Sequence, residues 1–394
     1  MSNVLFINGN LHGHINPTLP IVKALVESGE DVYYFATKEF QAKLEAHGAI
    51  FMDLGEEFEQ FILTFRPHGA HPFYTLMEYM LAFDRVTVPL ILDKIINLQF
   101  DYLIHDVMFG GGNIIARTLN IPAISSCSSF VMENLPLPTS MLEPGYHPQL
   151  DFLYHELEEV KKEWNVSSLT LTDIFFKGEP LNLVYTSRLF QPQGEAFPQS
   201  FHFIGPAIID RNETLDFTLS KSPEKKIIYI SMGTINNNCI ELYQYFIEAF
   251  KDCNYQVVMS IGSKTDPFML GIIPDNFIVR NHVPQLEVLK QADLFISHGG
   301  LNSVSEALYY GVPVIAIPMA NDQPAVAKRL SELGAGLQLR VEAITPSLLQ
   351  ITANTILSDN SYSHHCEQIR ESFHHSGGYN KGVSDIFEYV KTKR

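Results

Sequence analysis

The sequence predicts two α/β domains, each a doubly wound, Rossmann-like parallel sheet, facing one another across a central cleft. Three observations carry this. Strand-like and helix-like segments alternate through both halves of the 394 residues, and βαβα alternation implies parallel strands joined by crossover helices. The alternation dissolves once, in a stretch rich in Pro, Asp, Asn, Ser, Thr and Lys, and then restarts. With 46% hydrophobic and 18% charged residues, each half can bury a core of its own. The expected division is 1–210 for the first domain, 211–225 for the linker and 226–394 for the second, with closing helices able to pack back on the first.

In chain order, Val4–Ile7 reads as a strand. Pro17 marks a helix start and Gly29 follows its end, the usual asymmetry of Pro first and Gly after. Asp31–Ala36 is a strand, and a helix near Glu39–His47 stops at Gly48. Phe73–Leu98 reads as a long helix broken at Pro89. Asp101–His105 is a strand, Asn113–Leu119 a helix, and Pro122–Ser126 and Leu181–Thr186 are strands. After the linker come strands at Ile227–Ser231, Gln256–Ser260, Phe277–Arg280, Leu294–Ser297 and Val312–Ile317. Helices are expected near Glu241–Asp252 and Asn302–Tyr310. Three helices close the chain, one opening at Thr345-Pro346, where Thr caps and Pro fills the first turn. Ligands of such sheets bind at the carboxyl ends of the strands.

Composition excludes several partners. There are 44 acidic and 27 basic side chains, a formal charge of −17, and a nucleic-acid partner needs a basic face. A single nucleotide remains compatible, because backbone N–H groups at a helix start can hold a phosphate. The four cysteines form no CxxC pair, which suits a reducing compartment and a cytoplasmic location. No basic region or cleavage site surrounds the first strand. The apolar runs fall short of the ~20 residues of a membrane span.

The densest motif lies in the second half. Leu294–Ser297 runs into His298-Gly299-Gly300, and a helix begins within three residues. The glycines admit a ligand close to the backbone, the helix start offers free N–H groups, and His298 can donate to a phosphate oxygen. Glu306, one turn into the helix, can take both hydroxyls of a ribose. Taken alone, His-Gly-Gly is also the ordinary turn between a strand and a helix. In the first half, His12-Gly-His14-Ile-Asn16-Pro17 follows the first strand. Histidine there can act as a base near neutral pH, or the segment can be a plain helix cap with a solvated ring. Asp106 ends a neighbouring strand ahead of Gly110-Gly-Gly112, where it can orient an imidazole or shape a turn.

Val283-Pro-Gln285-Leu-Glu-Val-Leu, Ala292–Ala307, Gly311-Val-Pro and Asp322-Gln323 together closely resemble the nucleotide-sugar signature of family 1 glycosyltransferases. The match runs from Val283 to about Gly336. Weaker resemblance includes Ser231-Met-Gly-Thr234 and Gly13-His-Ile-Asn-Pro17, and looks most like the bacterial macrolide- and flavonoid-glycosylating branch. The resemblance implies the two-domain glycosyltransferase B fold, with the donor on the second domain and the acceptor on the first. Carried over by position, His298, Gly300, Asn302 and Ser303 would contact the diphosphate, with Leu301 in the same donor-binding turn. Glu306 would hold the ribose, Val283 and Gln285 would border the uracil, and Asp322 and Gln323 would bind sugar hydroxyls. Thr234 and Ser260 would face the phosphates. His14 would be the base, Asp106 its activating carboxylate, and Asn16 would approach the donor. His282 stands where plant members carry a base-stacking Trp, and Val326 where many relatives carry Asn.

The expectation is an inverting transfer of a hexose, glucose in the first instance, from a UDP-sugar to a hydroxyl of a small apolar or phenolic acceptor. Closure of the two domains would align the reactants. No cofactor and no metal is expected: there is no Asp-x-Asp triplet, no Walker pattern and no Gly-x-Gly-x-x-Gly. His364-His365 and His374-His375 lack helical metal-site spacing. His68 and His71 suit either an acceptor-pocket lining or an exposed loop. Two alternatives stand beside this reading. A UDP-sugar epimerase or hydrolase would consume donor without an acceptor, and a non-catalytic nucleotide-sugar binding protein would turn nothing over.

Overall fold

The computed structural model describes residues 2–132, 137–176, 178–209, 217–219, 224–233, 237–320 and 322–393. The expected linker lies largely outside them, as does Thr234. The chain divides into two compact units. One comprises Met1–Tyr185, Ala196–Ala207 and Gly377–Arg394; the other Thr186–Glu195 and Ile208–Ser376.

The first unit is built on seven strands: β1 (Asn3–Ile7), β2 (Asp31–Ala36), β3 (Ile50–Asp53), β4 (Tyr102–Asp106), β5 (Ala123–Cys127), β6 (Asn182–Val184) and β7 (Phe201–Phe203). Their order is β3-β2-β1-β4-β5-β6-β7, and every pairing is parallel. Alternate residues of β1 serve opposite cores, as strand geometry requires. Leu5 and Ile7 join the core that includes Tyr74, Met77 and Leu150. Val4 and Phe6 join the core that includes Ile21, Leu25 and Ile386. That second core contains the chain's closing helix, Gly378–Lys391. Gly382 lets it approach closely, since a Cβ there would lie 3.0 Å from both Ile204 and Ile21. His202 bonds Asp385 at 2.8 Å, and the Gly378 N–H donates to the Ile204 carbonyl at 2.8 Å.

The second unit holds β8 (Lys226–Ser231), β9 (Tyr255–Ser260), β10 (Phe277–Arg280), β11 (Leu294–Ser297), β12 (Val314–Ala316) and β13 (Gly336–Gln338). The order is β10-β9-β8-β11-β12-β13, again wholly parallel. Ile228 and Ile230 pack with Phe246, Leu349 and Ala353 of flanking helices. Thr345 Oγ1 accepts the Leu348 N–H at 3.1 Å and so caps Pro346–Ser358.

Two local expectations are corrected. The helix Pro72–Lys94 runs unbroken through Pro89; Val88 and Ile91, both fully buried, hold its core face on either side of the lost N–H. Helical backbone begins at His12, not at Pro17: His12–Ile15 is a short turn, Asn16–Thr18 is 3-10, and Leu19–Glu27 follows. Asn16 makes no capping bond. Among the described residues, no helix is long and apolar enough to cross a membrane.

Candidate functional site

Both sheets reverse winding direction at one place, β1/β4 in the first and β8/β11 in the second. Such switch points open a crevice at the carboxyl ends of the strands, and each unit places its distinctive residues there.

In the first unit, Asp106 is the last residue of β4 and His14 lies in the turn after β1. His14 Nδ1 is 2.5 Å from Asp106 Oδ2. Asp106 Oδ1 accepts the Met108 N–H at 2.8 Å, and Oδ2 accepts the Gly9 N–H at 3.3 Å. Burial of Asp106, 1% exposed, by itself raises its pKa. The His14 ring and these two N–H groups outweigh burial and hold the carboxyl below the ordinary carboxylate range. With Asp106 ionised, the proton between the pair belongs on Nδ1, and Nε2 is the basic nitrogen.

Three further residues complete this arrangement without having been singled out from sequence. Ser128, one residue beyond β5, places Oγ 2.9 Å from His14 Nδ1. Asn8 donates to the His14 carbonyl at 2.5 Å. Gly9 lies under the ring, where a Cβ would sit 3.0 Å from Nδ1. Their common signal is a small or polar residue directly after a strand, which thousands of turns share. His12 goes elsewhere: its Nε2 is 3.1 Å from Glu39 Oε1 and its ring packs edge-on to Phe40. Asn16 Oδ1 accepts from Lys43 Nζ at 3.0 Å, so its carbonyl is engaged within the first unit.

In the second unit, β11 leads through His298, Gly299 and Gly300 into the helix Leu301–Tyr309. Gly299 has φ 83°, a left-handed conformation that favours glycine. The His298 ring is confined by two glycines. A Cβ on Gly300 would stand 2.6 Å from its Nε2, and one on Gly233 2.7 Å from its Cε1. Although an edge of the ring keeps some exposure, burial lowers its pKa to about 4, with the Ser231 backbone bond opposing. Burial thus favours the neutral imidazole over the cation at pH 7, with its N–H directed at the Ser231 backbone. Gly300 caps the helix with no side-chain bond, so the amides of the first turn are offered forward. Leu301 is 5% exposed, with its side chain turned into the core, and only its amide can meet a ligand.

Glu306 is buried, and its Oε2 accepts Gln285 Nε2 at 2.6 Å. Gln285 Oε1 in turn accepts the Tyr229 hydroxyl at 3.0 Å. Thus the structure joins the residue expected at the base to the one expected at the ribose. Val283 is buried beside them and His282 is exposed. Ser260 ends β9, but its hydroxyl donates to the Asn281 carbonyl at 3.2 Å and is committed to the backbone. Gln323 Oε1 accepts the N–H groups of Met319 and Ala320 at 2.8 and 3.0 Å. That leaves its amide nitrogen to meet a hydroxyl. Asp322, just before it, is exposed. Among the described residues, no group of three His, Cys, Asp or Glu side chains is placed to hold a metal ion.

Residues 244–377 match a family model described as the C-terminal domain of erythromycin biosynthesis protein CIII-like proteins. The chain is 35% identical over 399 residues to a Bacillus subtilis (strain 168) protein named uncharacterized UDP-glucosyltransferase YdhE, covering 100% of both chains. It is 33% identical to the NDP-glycosyltransferase YjiC of the same strain, over 99% of this chain and 97% of that one. Oleandomycin glycosyltransferase of Streptomyces antibioticus is 28% identical over 96% of this chain and 88% of its own. The solved calicheamicin glycosyltransferase CalG4 shares the fold with a TM-score of 0.88 at 24% identity, over 99% of this chain and 98% of that chain. The chain therefore belongs to the bacterial branch of the family 1 glycosyltransferases, and is a glycosyltransferase of the two-domain B fold that draws on nucleoside diphosphate sugars.

Proposed function

We propose that the enzyme transfers a hexose, glucose in the first instance, from a UDP-sugar to a hydroxyl of a small apolar or phenolic acceptor, with inversion and without metal. The observation that carries this reading is the His14–Asp106 pair at the switch point of the first sheet. His14 Nε2 takes the proton of the acceptor hydroxyl, and Asp106 steadies the imidazolium that results. The acceptor oxygen forms its bond to the anomeric carbon as the bond to the diphosphate breaks on the opposite face. The amides of Gly300–Ser303 receive the charge gathering on departing UDP, with the uncharged His298 ring packed beside them. Glu306, with Gln285 beside it, accepts the ribose hydroxyls.

Relatives named for UDP-dependent glucosyl transfer support the donor. A flat or apolar acceptor is supported by the 58–165 segment, where Leu63, Leu76 and Tyr146 are exposed and Phe61 adjoins Phe65 and Tyr79 at 5.8 and 5.5 Å. The test is to incubate the protein with α-linked UDP-glucose and a mixed phenol panel in excess EDTA. Proton NMR should show a β-glucoside. An α-glucoside overturns inversion, activity that returns only with magnesium overturns the metal-free mechanism, and donor loss without glycoside overturns transfer.

A further inference from the structure

A second imidazole–carboxylate pair stands in the first unit, apart from His14. Glu78, 4% exposed, accepts the His68 N–H at 3.0 and 3.1 Å and Gln149 Nε2 at 3.1 Å, and lies 2.5 Å from His68 Nδ1. The His68 ring lies flat on Phe152, with centroids 3.7 Å apart and planes inclined by 26°. Yet the His68 side chain is 57% exposed, and among the described residues its Nε2 meets no hydrogen-bond partner. Anchoring this loop needs only the backbone N–H that Glu78 already accepts. The side-chain bond and the stack do something more: they fix the ring plane and aim Nε2 outward.

The pair also sits at a defined height. The helix Pro72–Lys94 ends near the amino edge of the sheet, where the Gln99 carbonyl accepts from Asn3 Nδ2 at 2.7 Å. Asp84, midway along it, accepts the Gly111 N–H, just past the carboxyl end of β4. Glu78 lies six residues, about 9 Å of helix, nearer the start of that helix than Asp84. Around it, His71 stacks on Tyr74 at 4.0 Å, and His147 lies 5.4 Å from Tyr74.

We propose that His68, held by Glu78, is a binding subsite for a second, phenolic hydroxyl of the acceptor. Flat acceptors with one hydroxyl for His14 and a distal one for His68 are then preferred. With Nδ1–H directed at Glu78, Nε2 accepts the phenol O–H. This inference rests on the acceptor-hydroxyl reading above.

The test uses the full chain, UDP-glucose and two probes: a dihydroxyflavone and the monohydroxyflavone that lacks its distal hydroxyl. In His68→Ala, the preference for the dihydroxy compound, as a ratio of kcat/KM, should fall by up to about tenfold, the upper worth of one hydrogen bond between neutral groups, with the loss carried by KM. Glu78→Gln should lower the same ratio less, and His68→Gln should restore part of it. If His68→Ala lowers both acceptors equally, or neither, the subsite is overturned and His68 is a loop anchor. Flavone affinity by calorimetry is read in parallel. Should the wild-type protein glycosylate neither flavone, the transfer reading fails separately, and the affinity ratio alone decides the subsite.

Discussion

The two switch points share one topology and solve opposite electrostatic problems. At β1/β4 the solution is side-chain charge: a buried carboxylate against an imidazole, with Met108 and Gly9 amides steadying the carboxylate. At β8/β11 it is backbone: three glycines, an open helix start and a histidine that burial keeps neutral. The difference teaches that a doubly wound sheet supplies only a location. On the proposed reading, the strand that ends in a charged side chain serves proton transfer, and the one that ends in glycines cradles an anion.

The comparison breaks most sharply at His14. His14→Ala should cut transfer to an alcohol by ~10²–10⁴-fold, the usual contribution of a positioned base, while calorimetric affinity for UDP is retained because the cradle lies in the other unit. Equal loss of UDP binding would mean the division of labour is wrong. His12→Ala is the control, since His12 pairs with Glu39. Gly300→Ala attacks the other half. Its Cβ would meet His298 Nε2 at 2.6 Å, so ring and first turn must part. UDP affinity should fall about tenfold to a hundredfold, the range for one lost charge-assisted bond; unchanged affinity removes this turn from the donor site.

A smaller effect separates the two sites by pH. The His298 pKa is lowered from 6.5 to about 4 in the folded protein, so the unfolded chain binds more protons between those values. Stability should therefore fall as pH drops through that window, by up to about 1.4 kcal/mol per pH unit for one proton. The contribution of Asp106, whose pKa is lowered from 3.8, is present above that value and is lost only as pH falls through its lower folded pKa. Urea midpoints measured against pH should show a shallower slope between pH 6.5 and 4 in His298→Gln. An unaltered slope would mean that another group titrates there.

What was legible in the sequence was what repeats or stands alone. The central strands announce themselves as apolar runs because both of their faces are buried. Of the edge strands, β10 could be read, whereas β3, β7 and β13 could not: Ile50 opens β3 at 39% exposure, and these short edges carry no continuous buried pattern. His14 and Asp106 could be paired through the family resemblance, and each closes or follows a strand that topology sets side by side. Ser128 could not, since its role exists only once β5 lies next to β4. The charge state of His298 was equally hidden, because it depends on how tightly Gly233 and Gly300 enclose the ring. Pro89 misled because the core contacts of Val88 and Ile91 outweigh one missing N–H.

The closing helix Gly378–Lys391 has a consequence for biosynthesis. Domains fold as they emerge from the ribosome, N-terminal ones generally first. Here Val383, Ile386 and Val390 belong to the same core as Val4 and Phe6, yet they are translated after the whole of the second unit. The first unit to be made is thus the last to be finished, and its nascent form must keep the groove over Ile21 and Leu25 uncovered until the second unit has been synthesised.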